Sequence, residues 1–211
     1  MDNDDFRRLV ADCVDRRKKE ISLVLRVVAN EADTVLEQTA SIMAIPVLYA
    51  HWEGFVKEVV GEYIEFIEKQ NLIPAQAHPT IFSFSMRKNI KLIRETGSVE
   101  HMTDFAIWMV EASSSPVRFE DKSVETGGNL SYKNLKDLCD NLKIDVAALE
   151  ADRRKIDALL NRRNNIAHTG RPPKFDQMKV AEDSALVIGL IDSFESILCN
   201  CVDLNRYLID N

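Results

Sequence analysis

Helix breakers are scarce in this chain, with seven glycines and six prolines among 211 residues. With 45% apolar and 29% charged residues, such a composition favours helices over strands. No unbroken apolar run approaches the ~18–20 residues of a membrane span. The longest, Ile42 to Ala50, is short and contains Pro46. The opening Met1-Asp-Asn-Asp-Asp5 is acidic, so neither a secretory signal nor a transit peptide is expected there, and the cytoplasm is the expected compartment. An overall basic balance is missing too. The net charge of −7 argues against indiscriminate nucleic-acid binding.

Metal-ligand spacing is also absent. Cys13, Cys139, Cys199 and Cys201 are scattered. Two residues apart on a helix, Cys199 and Cys201 point about 200° from one another and cannot grip one ion. His51, His78 and His101 lack the companions that a zinc site needs. No metal and no cofactor are expected, and the thiols read as reduced, buried cysteines.

The length suits one domain, residues 1–211, with a substantial core. Apolar residues recur at helical spacing over about 5–29, 32–70, 81–95, 99–112, 131–141, 146–168 and 176–207. Pro46 is expected to kink or divide the second of these, and Thr80 suits an N-cap for the third. In the second segment Leu48, Trp52, Phe55, Val56, Val59, Tyr63, Phe66 and Ile67 make one apolar face, with Glu53 at its margin. Ser113 to Gly128 is the longest stretch without helical period, a surface loop or a lid. No repeat or low-complexity tract interrupts the pattern. The expected architecture is an all-α bundle with a long loop around 113–130.

The most informative stretch is Arg163-Asn-Asn-Ile-Ala-His168-Thr-Gly170. At about 100° per residue, Ile156, Leu159, Leu160, Ile166 and Ala167 form a stripe with Arg163 in its middle, while Asn161, Asn164 and His168 share a flank. A guanidinium on a buried stripe needs a carboxylate, a carbonyl or an anionic ligand. Glu53, beside the apolar face of its own helix, is the expected carboxylate. Gly170 supplies a C-terminal cap, and Pro172-Pro173 stop the helix. Positive charge concentrates here: Arg153, Arg154, Lys155, Arg162, Arg163, Arg171 and Lys174 stand against Asp157 alone. Arg153 to Lys155 read as a solvated helix face, and Arg162 and Arg171 as candidates for phosphate contacts. Trp52 and Tyr49 read as core packing rather than base-stacking platforms.

Histidine titrates near neutrality and can act as general base or acid. Arginine stabilises charge on a phosphate through its planar donor fork. Together they suit metal-free RNA cleavage, and the chain offers no acidic cluster to hold a divalent ion. The structural alternative is that His168 caps the helix and Arg163 ties two helices through an ion pair.

Arg163 and His168 spaced R-x4-H, with Asn164 after the arginine and Gly170 closing the helix, resemble the signature of the HEPN superfamily. Tyr49-Ala-His-Trp-Glu-Gly-Phe-Val56 and the run Ile156 to His168 are similar to the MAE-type and RiboL-PSP-type HEPN-like nucleases in particular. The resemblance spans roughly residues 20 to 208. It implies a HEPN-like bundle and an endoribonuclease with Arg163, His168 and Asn164 as catalytic residues and Glu53 in support. It further implies a homodimer with two motifs facing one RNA substrate, and a prokaryotic defence or toxin–antitoxin setting with a possible antitoxin protein. The alternative within the superfamily is a non-catalytic module that binds a nucleotide or a partner protein.

Overall fold

The computed structural model describes residues 1–120, 122, 124, 126, 129–169 and 176–209. Its described residues form eight α-helices and no strand; a single bridge joins Ala77 to Leu208. Helix α1 (Asn3–Asn30) opens on Asp2, whose Oδ1 accepts from the Asp5 N–H at 2.8 Å, a standard N-terminal cap. Helix α2 (Glu37–Lys69) and helix α8 (Gln177–Asp203) pack against α1 and against each other as the centre of the bundle. The apolar face expected on α2, from Leu48 to Ile67, is buried throughout. Full burial of one such side chain contributes about 1.5–3 kcal/mol. Trp52 and Phe55 both pack edge-on against Phe194 of α8. Ion pairs at the rim tie the three helices: Arg7 to Asp203, Arg16 and Arg17 to Glu58, and Lys18 to Asp192.

Helix α8 is long and apolar enough to cross a membrane by length and composition. Its apolar run is interrupted by scattered polar residues, so counting unbroken apolar stretches passes over it. Here its buried face, from Val180 to Val202, packs on α1 and α2.

Around this centre lie α3 (Pro79–Ser85), α4 (Arg87–Thr96), α5 (Val99–Ala112), α6 (Tyr132–Asn141), a 3-10 turn (Ala147–Asp152) and α7 (Arg153–Thr169). Helix α7 packs on α2 and α6, and α3 packs on α6.

Several boundaries differ from the sequence expectation. Helix α2 begins only at Glu37, after turns in which Asp33 takes a left-handed φ of 58°. It then runs through Pro46 as one element. The segment expected at 81–95 breaks at Met86 into α3 and α4. Its cap is His78 rather than Thr80: His78 Nδ1 accepts from the Thr80 N–H at 3.2 Å, and Pro79 takes the first turn, where it needs no donor. Helix α8 stops at Asp203, because Tyr207 turns back to accept from the His78 N–H at 2.8 Å.

The loop expected at 113–130 is anchored at both ends. Val117 donates to the Leu72 carbonyl at 2.7 Å, and the Phe119 N–H donates to Glu68 Oε1 at 2.7 Å. Val117, Phe119, Thr126 and Leu130 are buried. From the end of α2 the loop thus returns to the level of Tyr49 and Glu53, about 20 residues or ~30 Å along that helix.

Candidate functional site

The first half of α7 is driven into the bundle by Ile156, Leu159 and Leu160, all buried. Its second half turns outward. Arg163, Asn164 and Ile166 are half-buried, while Asn161, Asn165, Ala167 and His168 are exposed. The stripe expected across the whole helix therefore ends near Arg163. Five residues place Arg163 and His168 about 140° apart around the helix and about 7.5 Å along it. This explains why one faces the bundle and the other faces water.

Arg163 is held by neutral groups. Its Nη1 donates to Asn129 Oδ1 at 3.1 Å and to Asn164 Oδ1 at 2.8 Å. Its Cζ stands 5.3 Å from the centre of the Tyr49 ring, a cation–π distance. Tyr49 is buried as expected, yet it also forms the floor of the site. Its hydroxyl accepts from the Leu130 N–H at 2.6 Å. Burial pushes this phenol up to about 12, against the pull of that N–H and the nearby Arg163 charge. Asn134 fastens the loop behind it, donating through Nδ2 to the carbonyls of Thr126 (3.1 Å) and Asn129 (2.8 Å).

Glu53 stands one turn beyond Tyr49 on α2, but it is not the carboxylate of Arg163. Its Oε1 accepts from Thr126 Oγ1 at 2.5 Å and pairs with Lys57 Nζ at 3.0 Å. Burial pushes the Glu53 carboxyl up; hydrogen bonds from Thr126 and Lys57, together with the Lys57 charge, outweigh it and leave the group below its ordinary value. The physical reason for the correction is competition. A lysine at i+4 and a threonine from the loop already satisfy this half-buried carboxylate. Glu53 makes no contact with Arg163; it holds Thr126 of the loop, while the guanidinium stands over the ring of Tyr49 one turn away on α2.

Arg162 is likewise engaged. Its Nε and Nη2 grip Asp183 of α8 at 3.0 and 2.6 Å, a bidentate pair, and Lys179 adds a contact to Asp183 Oδ1 at 3.1 Å. Arg162 is thereby turned toward α8. Arg171, Lys174 and the cap Gly170 lie outside the described residues. Between α7 and α8 opens a groove of about 790 Å³ in which Arg154, Lys155, Arg162 and Lys179 mix with Asp152, Glu182 and Asp183. Arg153 and Lys155 pair with Glu150 and Asp152 within their own turn, as a solvated helix face does. Among the described residues no three His, Cys, Asp or Glu gather where they could hold a metal ion.

Asn129 and Asp183 escaped the sequence reading. Asn129 lies in a segment without period, and Asp183 interrupts an apolar helix. An acid on the buried stripe of α8, between Val180 and Val187, was the available signal for the second. For the first there was none.

A helical bundle with R-x4-H at the outer end of α7, packed on the α2 helix that carries Tyr49 and Glu53, agrees with a match to the model of the HEPN_MAE_28990-like HEPN family over residues 6–207. The chain belongs to that family. No curated protein and no solved structure matches it. In this HEPN protein the motif's arginine and histidine thus occupy distinct environments, one braced by the loop and the other open to solvent.

Proposed function

We propose that this HEPN protein is a metal-independent endoribonuclease that acts as a homodimer, with Arg163, His168 and Asn164 as its catalytic residues. The observation that carries the reading is the state of Arg163. Its hydrogen-bond partners are amides and an aromatic ring, and among the described residues no carboxylate pairs with it. Its charge is directed but not neutralised, which suits an anionic phosphate. His168 stands exposed near the end of the same helix, accessible to a substrate.

In the proposed step His168 removes the proton of a 2′-hydroxyl, and that oxygen attacks the adjacent phosphorus. The bond from phosphorus to the 5′-oxygen breaks, and the leaving oxygen takes a proton from the partner subunit's His168. The products are a 2′,3′-cyclic phosphate and a 5′-hydroxyl. Arg163 stabilises the charge that builds on the phosphoryl oxygens, and Asn164, bonded to Arg163, keeps the guanidinium aimed. Glu53 supports the site by holding Thr126 of the loop behind it. Arg171 remains a proposed RNA contact, and Arg162 one only if it leaves Asp183. The biological setting we propose is prokaryotic defence or a toxin–antitoxin pair.

The rival is a non-catalytic module that binds a nucleotide or a partner protein. One observation favours it: Asn129 already occupies a donor of Arg163 that a phosphate would use. Cleavage of single-stranded RNA in EDTA, wild type beside a folded His168→Ala variant, separates the two. Loss of a general acid–base group lowers the rate by about 10²- to 10⁴-fold, and DNA, which lacks the 2′-hydroxyl, survives. Equal cleavage by both proteins, or none by wild type, defeats the nuclease reading. In cells, wild-type expression arrests growth and His168→Ala relieves the arrest.

A further inference from the structure

Two carboxamides meet Arg163 at one atom. Asn129 Oδ1 and Asn164 Oδ1 accept from Nη1 at 3.1 and 2.8 Å, so both hydrogens of that nitrogen are engaged. An arginine side chain has donors and no acceptor, so the amide atom turned toward it must in each case be the oxygen. The NH2 end of each amide is thereby left for something else. Among the described residues neither Nδ2 has a hydrogen-bond partner, and neither has Nε or Nη2 of Arg163. None of these four nitrogens is among the side-chain atoms buried without a partner, so water reaches each of them.

Asn129 is placed by its main chain, which leaves its side chain free to act. Its carbonyl accepts from Asn134 Nδ2 at 2.8 Å and from the Ser131 N–H at 3.0 Å. Its own N–H donates to the Thr126 carbonyl at 3.3 Å. Just beyond it, the Leu130 N–H donates to the Tyr49 hydroxyl at 2.6 Å and the Tyr132 N–H to Asp157 Oδ1 at 2.9 Å. Tyr49 lies on α2, Asn134 on α6 and Asp157 on α7. Three helices therefore fix this short segment, and the carboxamide is set before a ligand arrives, as preorganised donors are.

The chemistry of the set is one-sided. Arg163 commits two N–H groups to the amides, and the amides present four of their own. An amide oxygen that accepts from a cation polarises its own N–H groups, which become stronger donors. Arg163, Asn129 and Asn164 thus turn only donors toward solvent. Such a set fits an oxyanion with several oxygens and disfavours a group that itself donates, such as an amine. The contact that takes one donor from Arg163 widens the anion site rather than closing it.

We propose that Asn129, which lies outside the R-x4-H motif and 34 residues from Arg163, is a further substrate-binding residue. Its Nδ2 donates to a non-bridging oxygen of the phosphate whose charge Arg163 stabilises. The identity of that phosphate as RNA backbone rests on the nuclease reading above; the donor itself does not.

Two measurements on the full chain test this. In wild type the side-chain NH2 resonances of Asn129 should shift on addition of inorganic phosphate and stay in place with sodium chloride at equal ionic strength. In metal-free RNA cleavage Asn129→Ala, folded by circular dichroism, should lower kcat by about 10²-fold, the effect of removing one donor from a developing oxyanion. A loosened Arg163 would lower it too, and phosphorothioate RNA separates the two causes. Sulfur is a poor hydrogen-bond acceptor. Placed at the non-bridging oxygen that Asn129 contacts, it should slow wild type more than Asn129→Ala, and at the other position it should slow both alike. Resonances that ignore phosphate, or sulfur effects that are the same in both proteins for both diastereomers, overturn the proposal. A wild type that cleaves no RNA defeats the nuclease reading alone, and the amide shift then decides whether Asn129 holds an anion.

Discussion

Replacing Arg162 by alanine tests whether this arginine is a tie between helices or a contact for RNA. Its partner Asp183 exposes only 2% of its side chain, and Arg162 exposes 18%. Removing one member of a buried pair typically costs about 3–5 kcal/mol, mostly because the other charge is left unpaired in a low-dielectric site. Here Lys179 remains 3.1 Å from Asp183 Oδ1. That contact lowers the expectation for Arg162→Ala to about 2–3 kcal/mol. For a chain of this length each kcal/mol moves the melting temperature by about 2–4 °C, so a fall of roughly 4–12 °C is expected in a thermal melt. Arg162→Lys keeps the charge but loses the second bond of the fork and should cost about 1 kcal/mol.

The double variant Arg162→Ala with Asp183→Ala removes the unpaired carboxylate. It should be less destabilised than the sum of the two single changes, with a coupling of about 1 kcal/mol or more. Urea denaturation at constant m-value measures each corner of the cycle. If Arg162→Ala costs under about 0.5 kcal/mol, the range of an ordinary surface substitution, the tie is not structural. A simultaneous loss of RNA affinity would then return Arg162 to the substrate surface.

Two buried tyrosines should behave in opposite ways. Tyr49→Phe leaves the Leu130 N–H, now bonded at 2.6 Å, without an acceptor and should cost about 1–3 kcal/mol. Tyr63 is fully buried, and its hydroxyl finds no partner among the described residues, so Tyr63→Phe should be neutral or slightly stabilising in the same melt. Equal effects at the two positions would refute the accounting. Burial raises the Glu53 carboxyl, but Thr126 and Lys57 carry it below its ordinary value of 4.5. Its contribution is therefore complete above about pH 4.5 and is lost as the pH falls through the lower folded value. The stability difference between wild type and Glu53→Gln should shrink below pH 4.5 in acid denaturation, and a difference that grows there would reverse the sign of the argument.

The bundle was legible because its signal is periodic. The apolar faces read at helical spacing on α1, α2 and α8 are largely buried, with Leu9 of α1 left exposed and Leu25 and Leu208 half-buried. What the period does not encode are breaks made by local competition. His78 displaces Thr80 as a cap because its imidazole can accept from the Thr80 N–H with Pro79 in the first turn. Pro46 leaves α2 a single helix even though proline forfeits one backbone bond, since burial along this helix outweighs that loss. Helices α4 and α5 show the converse. They are plain in the sequence, yet neither has a buried residue, because periodicity reports that a face is apolar and not that anything covers it.

At the site, the sequence located the motif and misjudged its support. Local spacing brings Arg163, Asn164 and His168 to one helix end, and no knowledge of the tertiary arrangement is needed for that. The partners that hold Arg163 come from far along the chain: Asn129 is 34 residues away, in a segment whose register no periodicity fixes. The expectation of Glu53 matched charge to charge and left out two facts. Lys57 lies one helical turn away and claims that carboxylate first, and a half-buried guanidinium can be satisfied by amide oxygens and a ring face without any anion. The difference bears on function. An arginine neutralised by a buried glutamate would serve the fold, whereas one held by Asn129, Asn164 and Tyr49 keeps an uncompensated charge at the rim of the bundle. Placing a carboxylate there by Asn129→Asp should therefore leave the fold intact and still abolish phosphate binding, because the new anion would take the position proposed for the substrate.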